Sequence, residues 1–257
     1  SIPVPLEQDS VNALDVTATD VAGNVSPATR VTVTEVPSLP TVFSVTSEGD
    51  ANSGLYGRGT LRWAINQANA SAGTDIINFN IPGAGIRTIS PATALPGLAG
   101  GITIDGFSQP GAAPNTGKIN EYMNAAWAVH LNAPGMTALV ATGAGNAIRG
   151  LSIQAGSAGI SAVRIEGSGN TVAGNRIGLD SANHATGWQS LYGIELAGNS
   201  NLVGGSQPAD RNYFSNNIRG VGGTGSNNRV SGNFIGSAGK FQDPNSFAGV
   251  LFADGAT

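Results

Sequence analysis

The chain has 257 residues, and its composition already excludes several classes of protein. With 40% hydrophobic and only 11% charged residues it is too apolar to be disordered, and its 38 glycines suit an all-β protein with many turns. The absence of cysteine excludes disulfide bonds, thiol chemistry and cysteine-based zinc sites. The net charge of −4 argues against nucleic acid as a partner, and no apolar run is long enough for direct insertion into a membrane.

Residues 1–36 predict part of a separate β domain. Two segments in which apolar and polar residues alternate, 14–19 and 29–34, flank the turn-forming stretch 20–27, which is the pattern of a hairpin with a longer loop. A lone hairpin is marginally stable in water, so we expect it to pack on another part of the protein or on another chain. Residues 37–40 contain two prolines and predict a stiff linker.

Residues 41–257 predict a second domain that opens with a strand at 41–46. A helix is predicted at about 60–72, because Thr60 suits an N-cap, Gly73 suits a stop and apolar or small residues recur on one face. That face is formed by Leu61, Ala64, Ile65 and Ala68. A stack of strands exposes its apolar cross-section at its first layer, and we expect this helix to cover it as a cap. Further strands are predicted at 74–81, 86–89 and 101–106.

A short phrase that contains an asparagine followed by a strand returns four times between residues 143 and 236. Aligned on Asn146, Asn170, Asn201 and Asn228, the copies are 24, 31 and 27 residues apart. This period, with short strands and turns but without regularly spaced leucines, predicts a parallel β-helix, an all-β solenoid in which each turn of the chain pairs with the next. We expect these asparagines to tolerate the left-handed αL conformation and to form a hydrogen-bonded ladder, and the glycines next to them to serve the tight corners. The same register predicts one inward column, formed by Ile148, Val172, Val203 and Val230.

Longer stretches of the chain carry a resemblance to known proteins. The segments FSVTSEGD, GTLRWAINQAN, ITIDGFSQPG, GNTVAGNRIG and NRVSGNFIG resemble secreted bacterial proteins with right-handed parallel β-helix repeats, which occur in large adhesin-like surface polypeptides. The earlier stretch ATDVAGNVSPA resembles the closing strands of bacterial immunoglobulin-like modules. The resemblance implies a right-handed parallel β-helix preceded by a partial Ig-like hairpin, and a location on the bacterial cell surface, without implying a reaction. The sequence departs from the family pattern at Leu179 and at residues 213–217.

The charged residues of the second domain do not form an obvious catalytic constellation. Polysaccharide lyases and hydrolases built on a β-helix need clustered carboxylates, and residues 41–257 contain no Asp-Asp or Asp-x-Asp motif. The repeat register places Glu195 directly beside Arg164 in the preceding turn of the chain. We interpret the two side chains as a structural ion pair on the outer surface, with a catalytic Arg and Glu pair as the alternative. No catalytic or cofactor-binding residue is assigned.

The turn at residues 178–192 is a long insertion that carries candidate contact residues. Asp180, His184 and Trp188 combine hydrogen-bonding groups with an aromatic ring, a mixture that can stack on and hydrogen-bond to a sugar. They are our candidates for contact with a glycan or another partner. In the alternative interpretation, Trp188 only folds back over the edge of the strands.

The sequence assigns no metal site. His130 and His184 have no histidine or cysteine partner at metal-ligand spacing. In the hairpin loop, Asp20 and Asn24 could help to bind Ca²⁺ at a module junction, but a structural Asx turn at Asp20 is the simpler interpretation. Ca²⁺ near Asp20 is therefore the one cofactor hypothesis that the sequence raises.

Two functional hypotheses remain. The first is a non-enzymatic extracellular module, a stiff rod in a larger adhesin, filament or surface layer, whose partners are copies of itself or other surface components. The second is a carbohydrate-active β-helix that cleaves or binds extracellular polysaccharide. Since the chain opens at Ser1 without a methionine, we expect a piece of a longer protein. Residues 248–252 begin a further turn without a cap, so we expect more repeats after Thr257 or docking of this end on another chain.

Overall fold

The fold is mostly β-structure, so the all-β prediction is confirmed. The chain forms two compact units, Ser1–Leu39 and Pro40–Thr257. Among the residues that the structure describes, no helix is long and apolar enough to cross a membrane. The structure is a computed structural model, and it describes residues 11–34, 39–51, 57–118, 121, 123–157, 159–187, 189–236 and 245–252.

The first unit contains an antiparallel hairpin, as the alternating pattern predicts. Strand β1 (Val11–Val16) pairs along its whole length with β2 (Thr29–Thr34). The predicted bounds of the first strand, 14–19, are wrong at both ends. Regular pairing stops at Val16, and beyond it the N–H of Ser26 bonds to the carbonyl of Ala18 and Thr19 pairs with Val25 only as an isolated bridge. The side chain of Asp20 then organises the turn by accepting two backbone N–H groups.

The second unit is built from three parallel sheets. In order of hydrogen-bonded neighbours, the first sheet contains β3 (Thr41–Val45), β4 (Asp75–Phe79), β6 (Ile102–Asp105), β9 (Ala147–Arg149), β12 (Thr171–Ala173), β15 (Leu202–Gly204) and β18 (Arg229–Ser231). In the same order, the second sheet contains β5 (Arg87–Ile89), β7 (Val129–Pro134), β10 (Ser152–Gly156), β13 (Arg176–Ile177), β16 (Tyr213–Phe214) and β19 (Phe234–Ile235). The third sheet contains β8 (Leu139–Ala141), β11 (Val163–Ile165), β14 (Ser190–Leu196), β17 (Asn217–Gly223) and β20 (Ala248–Phe252).

From β6 onward the chain visits the three sheets in strict rotation. It passes from the first sheet to the second and the third, and then returns to the first sheet to lie beside its earlier strand. Most strands are two to five residues long, because two or three apolar or β-branched residues are soon followed by Gly and Asn, which favour turns. Neighbours in one sheet are therefore equivalent residues from successive turns of the chain.

The core lies between the sheets and consists of columns of stacked apolar residues. In the first sheet Ile148 pairs with Val172, Val172 with Val203, and Val203 with Val230, as the repeat register predicts. The first three are at most 1% exposed, and Val230 packs on them while partly buried. Full burial of such a side chain contributes roughly 1.5–3 kcal/mol, so each column is a substantial source of stability.

The helix α1 (Leu61–Ala70) packs against β3 and β4. The hydroxyl of Thr60 accepts a hydrogen bond from the N–H of Trp63, which is the N-cap geometry that the sequence predicts. The buried face is also the predicted one, formed by Leu61, Ala64, Ile65 and Ala68. The helix ends at Ala70 rather than at 72, because the next residue, Ser71, is already extended and its N–H bonds to the last helical carbonyls.

A half-buried ion pair fastens this helix to the loops beside it. Arg62 donates through Nε and Nη2 to the two carboxylate oxygens of Asp50, both at 2.9 Å. The same guanidinium also donates to the carbonyls of Thr93 and Ala94, at 2.7 and 2.8 Å. One side chain of α1 thus joins three segments that are distant in sequence.

Candidate functional site

The four repeat asparagines form a continuous hydrogen-bonded ladder. Asn146 donates its backbone N–H and its side-chain amide to Oδ1 of Asn170, at 2.7 and 3.0 Å. Asn170 makes the same two bonds to Asn201, at 2.8 and 3.1 Å. The N–H of Asn201 then donates to Oδ1 of Asn228 at 2.8 Å. Each asparagine therefore satisfies a backbone donor in the adjacent turn of the chain, as the repeat predicts.

The left-handed backbone conformation lies one residue earlier than the sequence analysis predicts. Positive φ angles of 70°, 67°, 56° and 56° occur at the residues that precede the ladder, which are Gly145, Gly169, Ser200 and Asn227. The ladder asparagines themselves have no positive φ. The sharp reversal falls on the preceding position, where glycine carries no steric penalty, and this leaves the asparagine side chain free to point along the stack.

The corner that carries this ladder, between the third and the first sheet, has a constant length. Five residues separate the strands in each of four turns, at 142–146, 166–170, 197–201 and 224–228. The second of the five is always glycine. A Cβ at Gly167 would lie 1.9 Å from the oxygen of Gly143, and one at Gly198 would lie 2.0 Å from the oxygen of Gly167. Successive backbones approach so closely here that any side chain would push them apart.

A second asparagine ladder lies at the corner between the first and the second sheet, and the sequence analysis missed it. The N–H of Leu151 donates to Oδ1 of Asn175 at 3.0 Å, that of Asn175 donates to Asn212 at 2.9 Å, and that of Asn212 donates to Asn233 at 3.1 Å. The signal was present, since each of these asparagines immediately precedes a strand of the second sheet. Within the described residues two ladders thus run beside the core, and Asn217 donates the same pair of bonds to Asn245 at the start of β17, both at 3.2 Å.

Arg164 and Glu195 lie in register on the outer face of the third sheet, as predicted. Arg164 donates through Nη1 to Glu195 at 2.8 Å and through Nε to Glu166 at 2.9 Å. Ser161 donates its hydroxyl to the other oxygen of Glu195, also at 2.8 Å. The charges of Arg164 and the two glutamates are engaged with one another, which is the behaviour of a structural ion-pair network at a partly exposed site.

The insertion after β13 places two of the three predicted contact residues in one tight turn. The carboxylate of Asp180 accepts the N–H of His184 at 2.8 Å, and the N–H of Asp180 donates to the carbonyl of His184 at 3.1 Å. The His184 side chain is 76% exposed, so it is available to a partner. The third predicted residue, Trp188, lies outside the described residues.

The Asp20 loop of the first unit forms an Asx turn. Its Oδ1 accepts the N–H groups of Ala22 and Asn24, both at 2.9 Å, and its Oδ2 accepts the side-chain amide of Asn24 at 2.8 Å. The hydrogen bonds from Asn24, more than any other cause, lower the pKa of Asp20 below its ordinary value of 3.8. Both carboxylate oxygens thus have protein donors, and Ca²⁺ near Asp20 stays a hypothesis.

A row of polar side chains lies buried on the outer face of the second sheet. Strand pairing sets His130 beside Ser152 and Ser152 beside Arg176, and each of the three is at most 2% exposed. Arg176 donates to the Ser152 hydroxyl through Nε at 3.1 Å and through Nη2 at 2.6 Å. Nη2 also donates to the backbone carbonyl of Asp180 at 2.9 Å. This buried cation was not predicted, because its partners belong to different repeats.

The hydrogen bonds of this row fix the protonation of His130. The Ser152 oxygen accepts from Arg176, so its own proton points to Nδ1 of His130, 2.9 Å away, and the ring is neutral with its proton on Nε2. Burial, reinforced by the charge of Arg176, lowers the pKa of His130 to about 4. Burial likewise lowers the pKa of Arg176 to about 10, which leaves it charged at neutral pH.

A small apolar cluster packs against the row and continues it at Tyr213, which pairs with Arg176. Trp127, Leu179 and Tyr213 are buried together, and Arg176 lies over the Trp127 ring at 5.4 Å from its centroid. The indole N–H donates to the carbonyl of Gly174 at 2.8 Å, which fixes the ring. Leu179 and Tyr213, two positions at which the sequence departs from the pattern of the proteins that it resembles, both belong to this cluster.

A cavity of about 370 Å³ opens beside this cluster. Its polar lining residues include Arg176 of β13 and Asn183 of the insertion that follows β13. Trp127, Met123 and Ile86 supply apolar surface. Its size falls within the usual range for small-molecule sites, ~300–1,000 Å³. A cation, an amide and an aromatic wall therefore meet at one opening.

Within the described residues, no group of three or more His, Asp or Glu side chains is placed to hold a metal ion.

Scans of protein-family models and of curated proteins give no match to this chain.

Proposed function

We propose that residues 41–252 form a right-handed parallel β-helix that serves as a stiff, non-enzymatic module of a bacterial surface protein. The strict rotation of the chain through three parallel sheets supports the β-helix. Right-handed winding is supported by the general preference of parallel crossover connections for that hand. The resemblance of the repeat segments to bacterial surface proteins supports the location, and the Asp20 hairpin would then be the end of an Ig-like module.

The observation that carries the proposal is the pair of asparagine ladders beside the stacked columns. Each added turn of the chain forms backbone bonds in three sheets and side-chain bonds at two corners. An intramolecular hydrogen bond contributes about 1 kcal/mol net, so many of them acting along one axis resist bending and slippage. The glycine column holds the spacing between turns uniform. Such a structure suits a load-bearing spacer.

The enzymatic alternative has less support from the arrangement of charges. The Arg164 side chain engages both neighbouring glutamates, Glu166 and Glu195, and a catalytic base or acid needs a group that is free to act on substrate. Copies of the same chain or other surface components are the partners that a spacer of this kind would have.

Two experiments test the proposed function. Antibodies against residues 41–252 should label intact source cells, and labelling that requires lysis would contradict a surface location. The purified 257-residue chain should leave neutral and acidic polysaccharides uncut. If any polysaccharide is cleaved, and Arg164→Ala or Glu195→Gln removes the cleavage, the module is an enzyme and the proposal is wrong.

A further inference from the structure

We propose that Arg176 and the cavity beside it bind the carboxylate of an acidic sugar, such as a uronic acid residue. This site lies on the outer face of the second sheet, under the cover formed by Trp127. It is independent of the spacer role, because the asparagine ladders and the apolar columns do not take part in it.

The first argument is that Arg176 has no described carboxylate at ion-pair distance. The residue is 2% exposed, and the nearby charge of Asp180 acts on it without forming an ion pair. Its hydrogen bonds go to neutral oxygens of Ser152 and of the Asp180 backbone. Removing an ion from water costs several kcal/mol unless an opposite charge compensates for it. A ligand carboxylate in the cavity would supply that opposite charge.

The second argument is that one nitrogen of the guanidinium, Nη1, is available to a ligand. Nε and Nη2 are occupied by Ser152 and Asp180, whereas Nη1 makes no hydrogen bond to any described residue, and Arg176 lines the cavity. Arginine pairs strongly with carboxylates because its N–H groups form charge-assisted hydrogen bonds. The nearby acid, Asp180, offers its backbone carbonyl instead, since its carboxylate accepts the N–H of His184.

The third argument is the remainder of the lining. Trp127, Met123 and Ile86 give an apolar surface on which the C–H face of a sugar ring can lie. The side chain of Asn183 lines the same cavity and makes no hydrogen bond within the described part of the chain, so its amide is available to a sugar hydroxyl. Asn124 is different, because its amide is already bonded to Thr116. One cation, one free amide and one aromatic wall together match a sugar that carries a carboxylate.

Three small probes separate the parts of this proposal. D-galacturonate, D-galactose and benzoate would each be titrated into the ¹⁵N-labelled 257-residue chain, with the Trp127 indole and Asn183 amide signals as readouts. D-galacturonate should bind. D-galactose, which has a neutral hydroxymethyl group in place of the carboxylate, should bind about tenfold more weakly or not at all, the loss expected for one charged hydrogen bond. Equal binding of the two sugars, or binding of neither, would overturn the proposal. Benzoate binding tighter than D-galacturonate would overturn the sugar assignment.

Variants of the site provide the second test. Arg176→Gln should weaken D-galacturonate binding at least about tenfold while leaving the weak D-galactose signal unchanged. Because Arg176 is buried, its substitution can also disturb folding. A matched pair of substitutions at Ile86, which lines the same cavity, avoids this problem. Ile86 is 37% exposed, so Ile86→Glu and Ile86→Gln should both fold. The glutamate should weaken D-galacturonate binding severalfold relative to the glutamine, and indistinguishable affinities for this pair would refute the electrostatic role of the site.

Discussion

Replacing Asn170 by alanine tests the contribution of the first asparagine ladder directly. Asn170 is 2% exposed and occupies the middle of the ladder. The substitution removes two bonds that its Oδ1 accepts from Asn146 and one that its amide donates to Asn201. At about 1 kcal/mol net for each bond the loss is about 3 kcal/mol, and the buried N–H of Asn146 left without an acceptor adds to it. We therefore expect the free energy of unfolding to fall by about 3–4 kcal/mol.

The assay is urea denaturation followed by circular dichroism, with two alanine variants for comparison. Asn228→Ala removes bonds to Asn201 and Gly198 at a half-buried position, so it should cost only about 1–2 kcal/mol. Asn80 is exposed and lies outside the ladders, and Asn80→Ala should change little. If Asn170→Ala lies within about 0.5 kcal/mol of Asn80→Ala, the ladder is not a stabilising element and the argument from hydrogen-bond satisfaction is refuted.

The αL positions, the ion pair of α1 and the buried histidine each lead to a further prediction. Ser200→Gly should raise the free energy of unfolding by about 1 kcal/mol and Gly169→Ser should lower it by a similar amount, because both residues have positive φ; the reverse signs in urea melts would contradict this. Arg62→Ala and Asp50→Ala should each cost about 3 kcal/mol and the double variant little more, whereas additive losses in a double-mutant cycle would show that the pair is not coupled. His130 is neutral in both states above pH 6.5, and between pH 6.5 and about 4 only the unfolded state takes up its proton. The free energy of unfolding should therefore fall by about 1.4 kcal/mol for each unit by which the pH is lowered in this window. His130→Gln should remove that part of the pH dependence.

The repeat made much of the fold predictable from the sequence. Alignment on Asn146 and its equivalents gives the register, and the register determines which residues stack, so the Val172 column and the Arg164 and Glu195 pair follow from residue spacing alone. The αL assignment to the asparagines was wrong because Gly-Asn, Ser-Asn and Asn-Asn pairs each offer two candidates for the reversal, and propensity alone does not say which residue takes it. The strand at 14–19 was misplaced for a similar local reason, since the reach of the Asp20 turn is not visible in an alternating pattern.

The cover over the second sheet could not have been predicted in the same way. His130, Ser152 and Arg176 come from three successive turns, and none of them sits in a local motif that distinguishes it from a surface residue. They are buried because Phe107, Met123 and Trp127, which belong to the connection between β6 and β7, pack together on this side of the sheet. Burial on an outward face therefore depends on a long connection whose path has no periodic signal in the sequence.

The constant corner has a consequence for how the protein can change in length. Four copies of the five-residue connection from the third sheet to the first leave no room for an added residue, since a glycine there already touches the preceding copy. The connection between β13 and β14 is long and that between β16 and β17 is short, so the corner from the second sheet to the third already tolerates both. A foreign peptide inserted at residues 181–187 should thus leave the pairing between successive turns intact. The same peptide inserted at residues 166–170 should disrupt that pairing. Duplication of a whole turn, in contrast, keeps the five-residue length of the glycine corner.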